Sequence, residues 1–212
     1  MALVKLNNRG VKDITAVGSI GTGDLVFLAK QSITSPVSSV NFVHGSGGVD
    51  FTSYKEYIFY FVNLHPNSNS EPDIKVNFST DGGSNYNVTK TSTGFYARHA
   101  ENDDFASIAY EAAWGLAQST GNQLVGHNME GADADASLCG SLQLFNPSST
   151  TFVKHYIGTV SYMHDYPAAW NQFFAGYCNT TSAIDAVSFI GEYSEGTSGN
   201  IDSGDILLYG VN

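Results

Sequence analysis

A turn between two alternating segments constrains the fold of this chain more than any other stretch. Val76–Val88 reads VNFSTDGGSNYNV, and its first half alternates Val and Phe with polar residues, as in a strand with one buried face. Asp81–Gly83 supplies turn chemistry, because Asp bonds to its own backbone and glycine accepts a positive φ. Tyr86 and Val88 then restart the alternation. The segment therefore predicts a β-hairpin with a polar tip.

The same alternation recurs along the rest of the chain. It predicts strands at Val26–Leu28, Tyr54–Leu64, Leu138–Phe145, Thr151–Tyr162, Phe173–Tyr177, Ala186–Ile190 and Ile206–Val211. Tyr54–Leu64 is densely aromatic and is typical of a central strand. Ala109–Gln118 has the best helix propensity in the chain, although Gly115 weakens it and a strand is the alternative. About nine short strands predict an all-β fold, a jelly-roll-like antiparallel β-sandwich.

The chain divides into two parts by composition. Residues 1–35 contain short apolar pairs and frequent glycine, and residues 36–212 contain the regular alternation. Four of the nine basic residues but only two of the 20 acidic residues lie in the first 30 positions, whereas the whole chain has a net charge of −11. We therefore predict an N-terminal attachment arm at 1–35, ordered by a partner, and a β-sandwich domain at 36–212. A solvated tail is the alternative for the arm.

Charge and hydropathy exclude several classes of function. Residues 31–212 carry five basic against 18 acidic residues, so we expect no nucleic-acid binding, because phosphate contacts need clustered Lys and Arg. No apolar run reaches the ~20 residues of a membrane span, and we expect no membrane insertion. The N-terminal residues turn polar by Lys5, so no secretory signal is predicted. Cys139 and Cys178 stand apart from any C-x-x-C pattern, and we expect buried free thiols.

No motif for catalysis or metal binding stands out. A G-x-S-x-G elbow is missing, the six histidines are dispersed, and nothing selects one pair among the 20 carboxylates. The acidic loops 127–137 and 101–104 contain oxygen ligands suited to Ca²⁺ but lack the spacing of a calcium loop, so a solvated loop is the interpretation for each. We therefore predict a protein that is not an enzyme, with no cofactor and no metal.

One aromatic segment is the best candidate for contact with a receptor or partner. It contains Tyr162, His164, Asp165, Tyr166 and Trp170. Aromatic rings stack on sugar faces or apolar partner surfaces, while Asp and His supply hydrogen bonds. The alternative is that Tyr166 and Trp170 plug one end of the sandwich or lie in a subunit interface.

The strand Tyr57–Phe61 bears on oligomeric state. Its five residues, YIFYF, are apolar or aromatic at every position, whereas sandwich strands usually alternate apolar and polar residues. The outer face of this strand therefore needs a cover. A neighbouring copy in a closed ring would supply it and would also protect sheet edges, which predicts a homotrimer. A helix of the same chain or the N-terminal arm is the alternative cover.

An ordered set of short motifs carries a family resemblance. The set is YKEYIFYFVNLHP, FSTDGGSNYNVTKT, LAQSTGNQ, CGSLQLFNPSST and NIDSGDILLYGV. It resembles a domain common in structural proteins of tailed bacteriophages, especially marine ones, where it occurs in tail fibres and related appendages. The likeness spans nearly the whole chain and includes the opening MALVKLNNRGVKDIT.

The resemblance implies a virion structural protein that is made in a bacterial cytoplasm. The expected function is that of a short tail fibre or appendage involved in host attachment, with other virion proteins bound through residues 1–35 and a host surface glycan as a further partner. A head-decoration protein is the first alternative. A carbohydrate-binding module or depolymerase is the second.

Overall fold

The computed structural model describes residues 25–67, 72–193 and 199–211. Within these ranges the chain forms twelve strands and a single 3-10 turn at Ala112–Trp114. The strands are β1 (Leu25–Ile33), β2 (Ser39–Val43), β3 (Glu56–Pro66), β4 (Pro72–Ser79), β5 (Lys90–Ala100), β6 (Ala106–Tyr110), β7 (Gln123–Gly126), β8 (Leu138–Phe145), β9 (Lys154–Met163), β10 (Ala168–Cys178), β11 (Ala186–Tyr193) and β12 (Ile201–Val211). In the same ranges no helix is long and apolar enough to cross a membrane.

The strands form two antiparallel sheets that pack face to face. The larger sheet has the order β1-β12-β3-β8-β9-β10-β5-β6, and the smaller has the order β2-β11-β4-β7. The chain passes from one sheet to the other at most of its connections, as it does in jelly rolls. The predicted all-β antiparallel sandwich is confirmed.

Aromatic side chains fill the space between the sheets. Tyr57, Phe59 and Phe61 of β3 face inward and are at most 2% exposed. Phe59 meets Phe42 of β2 with ring centroids 5.2 Å apart, and Phe61 meets Phe189 of β11 at 5.1 Å, both edge to face. Burying each such side chain stabilises the fold by roughly 1.5–3 kcal/mol. The strand predicted to be central therefore organises the core from within the larger sheet.

The predicted hairpin at residues 76–88 is wrong in its partner, although its turn chemistry is right. Asp81 accepts hydrogen bonds from the Ser79 hydroxyl at 2.8 Å and from the Asn85 N–H at 2.9 Å, and Gly82 and Gly83 have positive φ. However, β4 belongs to the smaller sheet and β5 to the larger one. Both edges of β4 are already paired, with β11 and β7, so the chain that leaves the turn has to cross to the other sheet.

The segment with the best helix propensity also differs from its prediction. Only Ala112–Trp114 forms a turn of 3-10 helix, and β6 takes the residues before it. The Glu111 side chain accepts from the Ala113 N–H and begins this turn, while the indole of Trp114 is buried between the sheets. Tertiary packing of this one large ring outweighs the weak local preference for a longer helix.

Part of the predicted N-terminal arm is a strand, and the two cysteines differ in exposure. Leu25–Ile33 pairs with β12 along the edge of the larger sheet, so this part of the predicted arm is a strand of the sandwich, while residues 1–24 lie outside the described residues. Both cysteines are free, as predicted. Cys178 is buried, but Cys139 is exposed, because it lies on the outward side of β8.

Candidate functional site

A cleft opens between the two sheets beside the turn that joins β9 and β10. Side chains of β5 and β10 form one wall, and residues of β4 and β7 with the segment after β7 form the other. The cleft has a volume of about 480 Å³, which is within the range of small-ligand sites, roughly 300–1,000 Å³. Its walls combine aromatic rings with polar and charged side chains. This is the combination that protein sites for sugars and other polar ring compounds require.

Four rings stack in a continuous ladder along the cleft. Trp170 is the centre, with the His164 ring 4.3 Å away on one side and the Tyr96 ring 4.4 Å away on the other. Tyr166 stacks on His164 with planes 9° from parallel, and it is 64% exposed at the rim. The ladder therefore runs from a solvent-exposed ring to a buried one.

The ladder follows from the local fold of the segment. The predicted aromatic loop is a short turn at 164–167, because β10 already begins at Ala168. Trp170 is therefore a strand residue, and the alternation of β10 directs it between the sheets. His164 bridges back to Met129 of the opposite wall, and the Asp165 N–H donates to the Asn128 carbonyl at 3.0 Å. These contacts fix the turn against the smaller sheet.

Arg98 supplies a cation next to the ladder. Its guanidinium lies 4.8 Å from the ring centroid of Phe105, 5.3 Å from that of Trp170 and 5.5 Å from that of Tyr96. Its Nε–H donates to the Ser107 hydroxyl at 3.0 Å. Cation–π attraction of this kind contributes about 0.5–2 kcal/mol per contact, more when the pair is shielded from water. The rings therefore hold the guanidinium in place beside the cleft.

The opposite wall carries a network centred on a buried carboxylate. Asp73 is 3% exposed and accepts hydrogen bonds at 3.0 Å from His127 Nδ1 and from the Asn128 N–H. Lys75 lies 3.3 Å from Asp73 and 3.2 Å from Glu192. Since a carboxylate oxygen accepts, His127 donates its Nδ1 proton to Asp73.

Burial sets the protonation of the two groups at the base of the turn. Burial, with the nearby His127 and Arg98, lowers the pKa of His164 to about 4, although the Asp165 carboxylate lies against Nδ1. The imidazole is therefore neutral at pH 7 and can stack on Trp170 without a charge. Burial also raises the pKa of Tyr162, whose hydroxyl accepts from the His127 N–H and donates to Gln172.

The structure brings three of the five predicted contact residues into the cleft. Tyr166, His164 and Trp170 line it, Asp165 lies on the turn behind them, and Tyr162 is 3% exposed beneath the ladder. Trp170 is also buried as a plug would be, so contact with a receptor stays a prediction. Sequence reasoning missed the remaining cleft residues that matter here, namely Asp73, Tyr96, Arg98, Trp114 and His127. Tyr96 and Arg98 share a strand face by alternation, but no signal in the sequence shows what that face opposes.

The outer face of the larger sheet is a second surface of interest. It carries two apolar patches, one near each edge. The β1-side patch is Leu25, Phe27, Tyr60, Val62 and Tyr209, and the β6-side patch is Phe95, Ile108, Tyr110, Ile157 and Phe173. Ser141, Gln143 and Thr159 of β8 and β9 form a polar band between the patches.

This outer face is nearly uncharged in a strongly acidic protein. Beside the two patches, the charged residues on this face are Lys30, Asp205 and Glu56, and farther along β12 Asp202 pairs with His65. Lys30 and Asp205 form an ion pair at 2.7 Å, and Glu56 lies at the start of β3. The negative charge of the chain is therefore concentrated on other surfaces.

Comparison with protein-family models finds none that matches this chain, and comparisons with curated proteins and with solved structures find no significant match. Within residues 25–67, 72–193 and 199–211, no group of three His, Cys, Asp or Glu side chains is arranged to hold a metal ion. The fold and the two surfaces define the class as an antiparallel β-sandwich with an aromatic cleft and an apolar outer sheet face.

Proposed function

We propose that this protein is a non-enzymatic structural protein of a tailed-bacteriophage virion, a short tail fibre or related appendage that takes part in host attachment. The resemblance of its ordered motifs to such proteins supports this class. The observation that carries the proposal is the outer face of the larger sheet, which exposes two apolar patches and almost no charge. A face of that kind suits a protein that functions as an assembled part.

The occupant of this face is a second copy of the chain. Copies of an acidic protein repel each other least where their surfaces carry little charge, and this surface also exposes large apolar side chains. The two patches differ in residues and lie near opposite edges of the sheet. Contact between the β1-side patch of one copy and the β6-side patch of the next is heterologous, and such contacts form a ring where the rotation between copies closes. The closed assembly that we propose is a homotrimer.

The cleft then provides the contact with the host. In this assembly the cleft lies between the sheets, away from the outer face, so it stays accessible when copies pack together. The ladder from Tyr166 to Tyr96 offers ring faces to the apolar side of a sugar, and the polar wall offers hydrogen-bond partners to its hydroxyls. A glycan of the bacterial surface is the proposed receptor. Attachment to the rest of the virion is assigned to residues 1–24, the part of the predicted arm that precedes β1 in the sequence.

Immunoelectron microscopy tests the location of the protein. Virions of the phage that encodes the chain are labelled with a gold-conjugated antibody against residues 36–212. Label at the tail or its appendages is the expected result. Label spread over the head would instead establish the head-decoration alternative, and virions without label, while the lysate reacts, would overturn a role in the particle.

A carbohydrate-binding module or depolymerase is the second candidate, because the cleft itself favours it. For hydrolysis, a carboxylate free to transfer protons would be needed, but Asp73 is occupied by His127, Asn128 and Lys75, and Glu111 begins the 3-10 turn. These contacts support binding over cleavage. Release of reducing ends from host polysaccharide by the purified protein, abolished by Asp73→Asn, would establish the depolymerase instead.

A further inference from the structure

We propose that the cleft selects acidic sugars, with Arg98 pairing with the carboxylate of a uronic-acid-type unit while the ring ladder stacks on the sugar face. This inference rests on the proposed function, since it assigns the substrate class of the same cleft. Arg98 is the residue that distinguishes an acidic sugar from a neutral one. This selectivity also explains why a strongly acidic protein keeps a cation in this position.

The guanidinium of Arg98 has few partners within the protein. Arg98 has five N–H donors, and in the described part of the chain its nitrogens make one hydrogen bond, from Nε to Ser107. No ion pair joins it to any carboxylate of those residues. Lys75, by contrast, is shared between Asp73 and Glu192. The planar fork of Arg98 is therefore free to take a carboxylate in two parallel hydrogen bonds.

The positive charge of Arg98 acts on the cleft with reduced screening by water. Arg98 is half-buried among Phe105, Tyr96 and Trp170, so its field is screened less than that of an exposed residue. Its effect on the cleft is visible at His164, whose pKa is lowered in part by this guanidinium. An anion bound here would gain from the same field, whereas the rest of the acidic surface would repel it.

The charge of Arg98 and the ring ladder match the two chemical features of a uronic acid. A uronic acid has a carboxylate at one side of its ring and an apolar face of C–H groups. Arg98 lies 5.3 Å from the ring of Trp170, so one ligand unit can touch both the cation and the ladder. His127 lines the facing wall of the cleft, and its Nε2 can form a hydrogen bond with a sugar hydroxyl. The N–H groups of Arg98 that are not bonded to Ser107 are donors suited to an anionic ligand.

A purely structural role for Arg98 is the rival explanation, since its cation–π contacts hold β5, β6 and β10 together. The test separates the two with variants and matched ligands. Binding is measured by calorimetry for oligogalacturonate, its neutral galactose counterpart and a sulfated galactose oligomer. The proteins are the wild type, Arg98→Gln, Arg98→Lys and, as a matched loss of one positive charge, Lys55→Gln at an exposed loop.

We expect the wild type to bind oligogalacturonate at least tenfold more tightly than the neutral oligomer. Arg98→Gln should remove the preference for oligogalacturonate and leave the weak binding of the neutral oligomer unchanged. Arg98→Lys should retain part of the preference, and Lys55→Gln should retain all of it. Equal binding of neutral and acidic oligomers by the wild type would overturn acid selection but leave glycan attachment standing. A preference for the sulfated oligomer over the carboxylated one would overturn the uronate assignment. Binding of none of the three would overturn the inference, whereas the virion labelling decides the structural role separately.

Discussion

Phe173 of β10 stacks on Phe95 of β5 on the outside of the larger sheet, with ring centroids 4.8 Å apart and planes 9° from parallel. The two residues are directly paired across the strands, and Tyr110 of β6 follows in the same row. Phe95 is 45% exposed and Tyr110 is 65% exposed. A row of rings that faces outward on adjacent strands contributes little to the core of one sandwich, because half of its area stays in water. It is the contact that we assign to another copy in the proposed assembly.

The first prediction concerns this row. Phe95→Lys should convert the proposed homotrimer to a monomer, because a charge in a contact between apolar patches is left without a partner. Light scattering on the full-length chain should give three times the 22.7 kDa chain mass for the wild type and about one chain mass for the variant. Phe152→Lys is the matched control, since Phe152 is 69% exposed in the turn between β8 and β9, and it should stay trimeric. A wild-type mass near that of one chain at micromolar concentration would contradict the trimer.

The second prediction concerns the rim of the cleft. Tyr166→Ala should weaken binding of a host glycan about three- to tenfold, the equivalent of losing one stacking contact of about 0.5–1.5 kcal/mol. The thermal midpoint should not change, because Tyr166 is 64% exposed. Calorimetric titration with the glycan measures the affinity, and Phe152→Ala removes an equally exposed ring elsewhere. An unchanged affinity would show that Tyr166 does not contact the glycan.

A third prediction tests how β9 and β10 pack. Phe174 lies across Gly158, its cross-strand partner, so a Cβ on Gly158 would lie 2.1 Å from Cζ of Phe174. Gly158→Ala should therefore destabilise the protein by roughly 1–3 kcal/mol in chemical denaturation, because the buried ring has to move. The double variant Gly158→Ala/Phe174→Leu should lose less unfolding free energy than the sum of the losses in the two single variants. Strict additivity would show that the ring is not the cause.

The turn after β4 gives a prediction on pH. Hydrogen bonds from Asn85 and Ser79 lower the pKa of Asp81 to about 2, below the 3.8 of an unperturbed Asp. The carboxylate therefore stabilises the fold above about pH 4, and this contribution is lost as the pH falls towards 2. Asp81→Asn should lower the thermal midpoint at pH 7, with a difference from the wild type that narrows between pH 4 and pH 2. Exposed Asp135→Asn removes the same charge and should show no such trend.

The last prediction concerns attachment. Deleting residues 1–24 leaves β1 in place on β12, so the truncated protein should keep the β-sheet circular dichroism of the wild type. It should nevertheless fail to enter virions, because the basic N-terminal residues are assigned to docking on other virion proteins. Quantitative blotting of purified particles measures the copy number. Incorporation of the truncated chain at the normal level would move the attachment site to the body.

The sequence alone predicted those features that depend on neighbouring residues. The alternation of β8 and β9 located both strands and the turn between them, and the glycines after Asp81 marked a turn that exists. Local patterns succeed here because side-chain direction in a strand and the φ of a turn residue are set within a few positions.

Only the tertiary structure decided which strands meet. The chain after Asp81 joins the larger sheet because both edges of β4 are occupied by strands from distant parts of the sequence. The cleft has the same origin, since Arg98, Trp170 and Asp73 come from three strands on two sheets. The alternation showed which residues share a face, but not which face lies opposite. Contact across the sandwich depends on the packing of the whole chain, and no short stretch of sequence encodes it.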